Sequence, residues 1–194
     1  ERIRDLVEDL NIVSKLEYDS QPMNIETIQV VPFARGIVAD YLNTGIDAQY
    51  DLEFFDTPTV QECAIQGDER LLRRAVRNLI DNAMRHNGEG CKIALSLDVE
   101  PSSMLALTVA DNGRGCDTSR IGALMAQAST PDASYDAHGL GLTLVSRISI
   151  MHGGYVSFAS EPGRGFTATM RIPVAMPQSE PTRPEQRESQ ANVR

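Results

Sequence analysis

Within the stretch RNLIDNAMRHN, Asn78 and Asn82 stand four residues apart, with Arg85 and His86 one turn further on. Asparagine is a mediocre helix former because its amide competes for nearby backbone groups. Two of them on one helical face therefore ask for a reason. Amide carbonyl oxygens suit a hard cation such as Mg2+, and Arg85 suits phosphate oxygens as a charged donor. The plainer alternatives are local side chain–backbone bonds and solvated positions. A second segment, DNGRG, sets Asp111 at the end of an apolar strand, where a carboxylate can accept from an exocyclic amine. Gly113 and Gly115 let the backbone turn and approach a ligand, although a simple Asp-Asn-Gly turn would look the same. In a third segment, HGLGL, Gly139 and Gly141 open a helix whose free N–H groups and dipole favour phosphate. A tight turn is the alternative there.

These residues need elements to hold them. Asp68 can cap a helix, with Glu69 favourable to its dipole. Leu71, Leu72, Ala75, Val76, Leu79, Ile80 and Ala83 form its apolar stripe. Asn78, Asn82 and Arg85 share the face beside that stripe. NGEG ends the helix, and KIALSLDV and MLALTVA read as neighbouring strands joined through EPSS. HGLGLTLVSRISIMHGG reads as a Gly-rich start running into an apolar helix that Gly153 ends. YVSFAS and GFTATMRIPV form a final hairpin. Its second strand alternates, with Phe166, Ala168, Met170 and Ile172 opposed to Thr167, Thr169 and Arg171. Upstream, NIETIQV reads as a strand, Pro32 starts a helix through Ile37, Val38 and Leu42, and YDLEFF and CAI read as two strands around a Thr-Pro turn. Residues 1–18 carry Ile3, Leu6, Leu10 and Val13 at coiled-coil spacing, or belong to an ordinary amphipathic helix. From Pro173 on, the composition is that of a disordered tail.

The 194 residues allow one domain with an appendage or tail, and 41% apolar residues allow a sizeable core. A net charge of -9 argues against non-specific nucleic-acid or anionic-membrane binding. Three cysteines without a CxxC pair read as reduced thiols. No apolar run approaches the ~18 to 20 residues of a membrane span. The absence of a starting methionine reads as a piece of a longer protein.

Taken together, the segments resemble the Bergerat-type ATP-binding domain of two-component sensor histidine kinases. NLIDNAMRH looks like the N box, DNGRG the G1 box, HGLGL the G2 box and GRGFTATM the last glycine–threonine segment. The resemblance implies an α/β (α+β) two-layer sandwich, a mixed sheet covered on one face by helices. It divides the chain into residues 1–20, the end of the second helix of a dimerisation and phosphotransfer domain; 24–173, the ATP-binding catalytic domain; and 174–194, the tail. It implies Mg-ATP as ligand. Asn82 would be the Mg2+ ligand with Asn78 in support, and Arg85 would reach the phosphates. His86 would lie beside the adenine, Asp111 on its amine, with Gly113 and Gly115 close to the ring. The backbone of Gly139, Leu140, Gly141 and Leu142 would hold the phosphates, and Thr167 would reach the adenine pocket through water. Residues 116–138 would form an ATP lid.

Two departures from that family stand out. The lid segment has no phenylalanine, and Leu124 and Met125 stand in its place. None of the histidines in RHNG, AHGLG and MHGG fits the phospho-accepting position, so the acceptor lies outside this chain. The implied partners are the dimerisation helices of a parent kinase and a response regulator, with no nucleic acid. The implied parent is a membrane-anchored homodimer with this part cytoplasmic, the fragment itself reading as a monomer or an out-of-context pair. At position 78, relatives that hydrolyse ATP place a glutamate as general base. Asn78 cannot accept a proton at neutral pH, and Asp81, one residue before Asn82, faces roughly 100° away. This favours transfer to histidine over the alternatives, a chaperone- or topoisomerase-type ATPase and a catalytically silent nucleotide-binding module.

Overall fold

A helix with an apolar stripe needs a defined start and a second layer to cover the stripe. Asp68 supplies the start: its carboxylate accepts from the Leu71 N–H at 3.2 Å and the Asn24 N–H at 3.1 Å. The helix that follows, Glu69–His86, buries all seven residues of its stripe, with Leu72, Ala75, Val76 and Ile80 fully enclosed. A computed structural model describes residues 22–45, 49–117, 119 and 140–175 of the chain. In order, the described elements are β1 (Glu26–Gln29), α1 (Val30–Leu42), β2 (Asp51–Asp56), a 3-10 turn (Pro58–Val60), β3 (Ala64–Gly67), α2 (Glu69–His86), β4 (Lys92–Glu100), β5 (Met104–Asp111), α3 (Leu140–Met151), β6 (Tyr155–Glu161) and β7 (Gly165–Pro173).

Five strands form a mixed sheet in the order β2-β4-β5-β7-β6. Only β2 and β4 run parallel; β4, β5, β7 and β6 pair antiparallel. One face carries Ile93, Leu95, Leu97, Leu105, Leu107, Val109, Ala168, Met170 and Ile172, which join the buried faces of the three helices in a single core. The other face carries shorter, partly exposed residues, among them Ser96, Thr108 and Thr169, with Thr108 Oγ1 and Thr169 Oγ1 3.1 Å apart. The two-layer sandwich expected from the sequence is what the chain forms.

Both strands read around the Thr57–Pro58 turn are present, in two different sheets. The 3-10 turn carries the chain from the main sheet into a second, two-stranded sheet, where β3 pairs with β1. The chain also stays ordered beyond β7. Val174 bridges to Ile65 and the Ala175 N–H donates to the Ala64 carbonyl at 2.7 Å, because alternation continues past Pro173 with an apolar Val174.

Two side-chain ties fix how α2 sits. His152, just past α3, accepts the Asp68 N–H on Nε2 at 3.0 Å and donates from Nδ1 to the Ile148 carbonyl at 2.7 Å. The ring is thus a buried link between the end of α3 and the start of α2, a structural role for one of the three histidines. On the other side, the Tyr41 hydroxyl donates to Asp81 Oδ1 at 2.5 Å, with the Arg77 guanidinium 5.4 Å above the Tyr41 ring. Burial, then the Asp81 carboxylate, push the phenol far above the usual tyrosine range. Asp81 therefore faces α1, as its position one residue before Asn82 implies. Among the described residues no helix is long and apolar enough to cross a membrane.

Candidate functional site

The face of α2 beside the core stripe points Asn78 at the start of α3. A Cβ placed on Gly141 would lie 3.8 Å from Asn78 Oδ1 and Cγ, an ordinary contact distance. The first segment and the third are thus in contact, separated in sequence by some sixty residues but joined by the packing of α2 on α3. Asn78 Nδ2 is buried and has no hydrogen-bond partner among the described residues. A buried donor without a partner costs about 1–3 kcal/mol, so its presence beside a helix N-terminus calls for an acceptor there. Asn82 is half-buried one turn on, and Arg85 is exposed a further turn on. Gly139 lies outside the described residues, as do Leu124, Met125, most of the lid segment and residues 1–21. Leu140 opens α3, and Leu142 is buried in the core.

Asp111 ends β5 on the helix-side face of the sheet, in phase with Val109 and Leu107. Its Oδ1 accepts from the Gly113 N–H at 2.9 Å and the Phe166 N–H at 3.2 Å. Its Oδ2 takes no hydrogen bond from a described residue, so the carboxylate is aimed by one oxygen and available at the other. The charge is close enough to Cys91 to reinforce the effect of burial, and together they push that thiol up.

The segment after Asp111 is held by backbone. Asn112 and Lys92 exchange hydrogen bonds, through Asn112 N–H to Lys92 O and Lys92 N–H to Asn112 Oδ1. Gly163 N–H donates to Arg114 O at 2.7 Å, and Cys116 N–H donates to Ser160 Oγ at 2.9 Å. Gly115 is pressed against the β6–β7 turn: with φ +62°, a Cβ there would meet Glu161 O at 2.1 Å. Gly113 leaves room for the Asn87 side chain, whose Oδ1 a Cβ would meet at 1.8 Å. Close approach of the backbone is what these glycines permit, and the partner seen is protein.

Asn87 was not among the sequence candidates. Its Oδ1 accepts from Arg114 N–H at 3.1 Å and its Nδ2 donates to Ala83 O at 2.8 Å, so it ties the last turn of α2 to the DNGRG loop. Its place directly after a helix was the available signal. His86 Nδ1 lies 3.4 Å from the Arg114 guanidinium. Between these segments runs a cleft of about 480 Å3 lined by His86, Asn87, Cys91, Asn112, Gly113 and Arg114, among others.

Thr167 is not brought to the site. It pairs with Ala110 and Ala159, and its side chain lies on the sheet face away from the helices. The strand pleat alternates faces at every residue, so Phe166 is the one that shares a face with Asp111.

Fold and motif order together define a Bergerat-type ATPase domain. The profile of the family described as Histidine kinase-, DNA gyrase B-, and HSP90-like ATPase matches residues 67–176, and the chain belongs to that family. The sensor histidine kinase YvrG of Bacillus subtilis is 29% identical over 174 residues, covering 88% of this chain and 29% of YvrG. The probable sensor histidine kinase TcrY of Mycobacterium tuberculosis is 31% identical over 167 residues, 84% of this chain and 34% of TcrY. The chain thus spans about a third of the length of these relatives. Among solved structures, full-length ShkA in complex with AMPPNP superposes with a TM-score of 0.74 at 21% identity, over 90% of this chain and 36% of that one. The nucleotide-free catalytic domain of the histidine kinase ThkA gives 0.65 at 18% identity, over 78% of this chain and 98% of that one. These two establish the fold, and the sequence relatives place it with the catalytic ATPase domains of histidine kinases.

Proposed function

We propose that this chain binds Mg-ATP and transfers its γ-phosphoryl group to a histidine outside the chain, from which a response regulator is phosphorylated. The observation that carries this reading is Asn78. Its amide is buried against Gly141 at the start of α3, with Nδ2 unpartnered among the described residues. That position suits a phosphate oxygen, and an amide offers no general base for activating water. The nearest carboxylate on α2, Asp81, is engaged by Tyr41 on another face. A histidine acceptor needs no such base: the lone pair of a neutral imidazole attacks phosphorus, the bond to the β-phosphate oxygen breaks, and ADP leaves. Catalysis then consists of positioning and charge neutralisation.

The donor set fits Mg2+ only together with nucleotide. Asn78 and Asn82 offer two neutral carbonyl oxygens, and no group of three or more His, Cys, Asp or Glu gathers among the described residues. Mg2+ is commonly held by one or two protein ligands plus substrate phosphates, and when bound it would neutralise charge on the β- and γ-phosphates. Asp111 Oδ2 would accept from the adenine amine, and His86 would flank the base. Arg85, exposed at the end of α2, would reach phosphate. The catalytic unit takes in residues 24–173 with the Val174–Ala175 extension. Residues 1–20 would continue from the dimerisation helices, in a membrane-anchored homodimeric parent with this unit in the cytoplasm.

Titration calorimetry tests the binding half of this reading. ATP should bind more tightly with Mg2+ than with chelator, and Asn82→Ala should remove most of that difference, about tenfold or more for one lost charge-assisted ligand. An Asn82→Ala protein that keeps the full Mg2+ dependence would move the metal site elsewhere.

A further inference from the structure

We infer that Phe166 forms an aromatic wall of the base pocket and sets its fit for a flat purine. This rests on the proposed reading of the site as an adenine nucleotide pocket. The Phe166 N–H donates to Asp111 Oδ1 at 3.2 Å, which places the ring immediately beside the carboxylate, on the same face of the sheet. The ring is half-buried rather than enclosed. Its covered side meets Phe158, with centroids 5.7 Å apart and planes tilted by 31°. Phe158 itself is 7% exposed, so it backs Phe166 and holds its orientation. Thr167, the polar neighbour, is turned to the opposite face and adds no hydrogen bond to the pocket.

A base whose amine bonds Asp111 Oδ2 would lie within reach of the Phe166 ring, since carboxylate and ring are adjacent on one pleat. Of the five phenylalanines, Phe33 lies under Arg73 and Phe54 beside Arg35, while Phe55 is exposed on β2. Phe158 is the buried backing, which leaves Phe166 as the phenylalanine at the carboxylate. Residues 116–138 contain none. β7 thus supplies a phenylalanine, which the lid sequence lacks.

The test uses Phe166→Leu, a substitution of similar apolar character, and Phe166→Trp in a chain that has no tryptophan. Affinities for ATP and ADP are measured by calorimetry with Mg2+ and with chelator, and thermal midpoints are recorded alongside. Loss of base–aromatic contact should weaken both nucleotides by about tenfold in Phe166→Leu, whether or not Mg2+ is present. The indole of Phe166→Trp should change emission on addition of ATP, whereas Tyr155→Trp, on the exposed outer face of β6, should not. If Phe166→Leu lowers the thermal midpoint but binds ATP as the unmutated chain does, the ring is core packing only and the inference fails. Failure of the unmutated chain to bind any nucleotide overturns the proposed function and this inference with it.

Discussion

Replacing Asp111 with alanine is expected to lower ATP affinity by about two orders of magnitude. One hydrogen bond to a charged group accounts for about 1.5–3 kcal/mol, or roughly 10- to 150-fold. The alanine also strips the acceptor from two backbone N–H groups, those of Gly113 and Phe166. The first loosens the DNGRG loop and the second the start of β7, so binding and local order fall together. Asp111→Asn separates the two effects. Its amide oxygen can still take both backbone N–H groups, which leaves an NH2 where Oδ2 stood. A donor would then face the donor of the adenine amine. Asp111→Asn should therefore melt close to the unmutated chain while its ATP affinity drops nearly as far as in the alanine variant. Calorimetry and a thermal melt on the same samples check this, and near-normal ATP affinity in Asp111→Asn would remove Asp111 from the base contact.

The largest effect on stability is expected at Gly165. Its φ is +91°, and a Cβ there would sit 1.8 Å from Asp111 O and 3.1 Å from Asn112 Cα, both backbone atoms that cannot rotate away. Gly165→Ala must move β7 or the Asp111 segment, at a cost of about 3 kcal/mol or more. In a chain of this length that corresponds to a fall in melting temperature of roughly 6–12 °C. Gly90→Ala is the matched comparison. Gly90 also has a positive φ, +82°, but open space where a Cβ would go, so only backbone strain of about 1–2 kcal/mol applies. Equal losses in the two variants would show that crowding at Asp111 carries no weight. A larger loss at Gly165, accompanied by weaker ATP binding, is the outcome the packing dictates.

The sequence carried the helix that holds the asparagines almost completely. Its seven buried residues follow the helical period, and its cap is a local bond that any Asp before such a stripe can make. Strand positions were legible for the same reason, from alternation. Long-range pairing was not. The parallel pairing of β2 with β4 joins segments separated by a crossover through β3 and α2, and no local pattern encodes it. Thr167 shows the same limit at a position the resemblance had assigned to the site. Matching a glycine–threonine string suggested Thr167, while the alternation of GFTATMRIP already set Thr167 and Phe166 on opposite faces. What the sequence lacked was the register, Ala110 opposite Thr167, which decides that Phe166 is the residue at Asp111. Asn87 was missed because its contact runs to a loop 27 residues away, through the Arg114 N–H.

Under the proposed function, the amide at position 78 favours transfer to histidine over transfer to water. The most direct test is to join this chain to the dimerisation and phosphotransfer helices proposed to precede it and incubate the product with ATP labelled at the γ-phosphate. Label is predicted to appear on the protein as an acid-labile, alkali-stable phosphoramidate, and to be lost in Asn82→Ala and Asp111→Asn. Steady release of labelled inorganic phosphate without any labelled protein, from a chain that binds ATP, would contradict it.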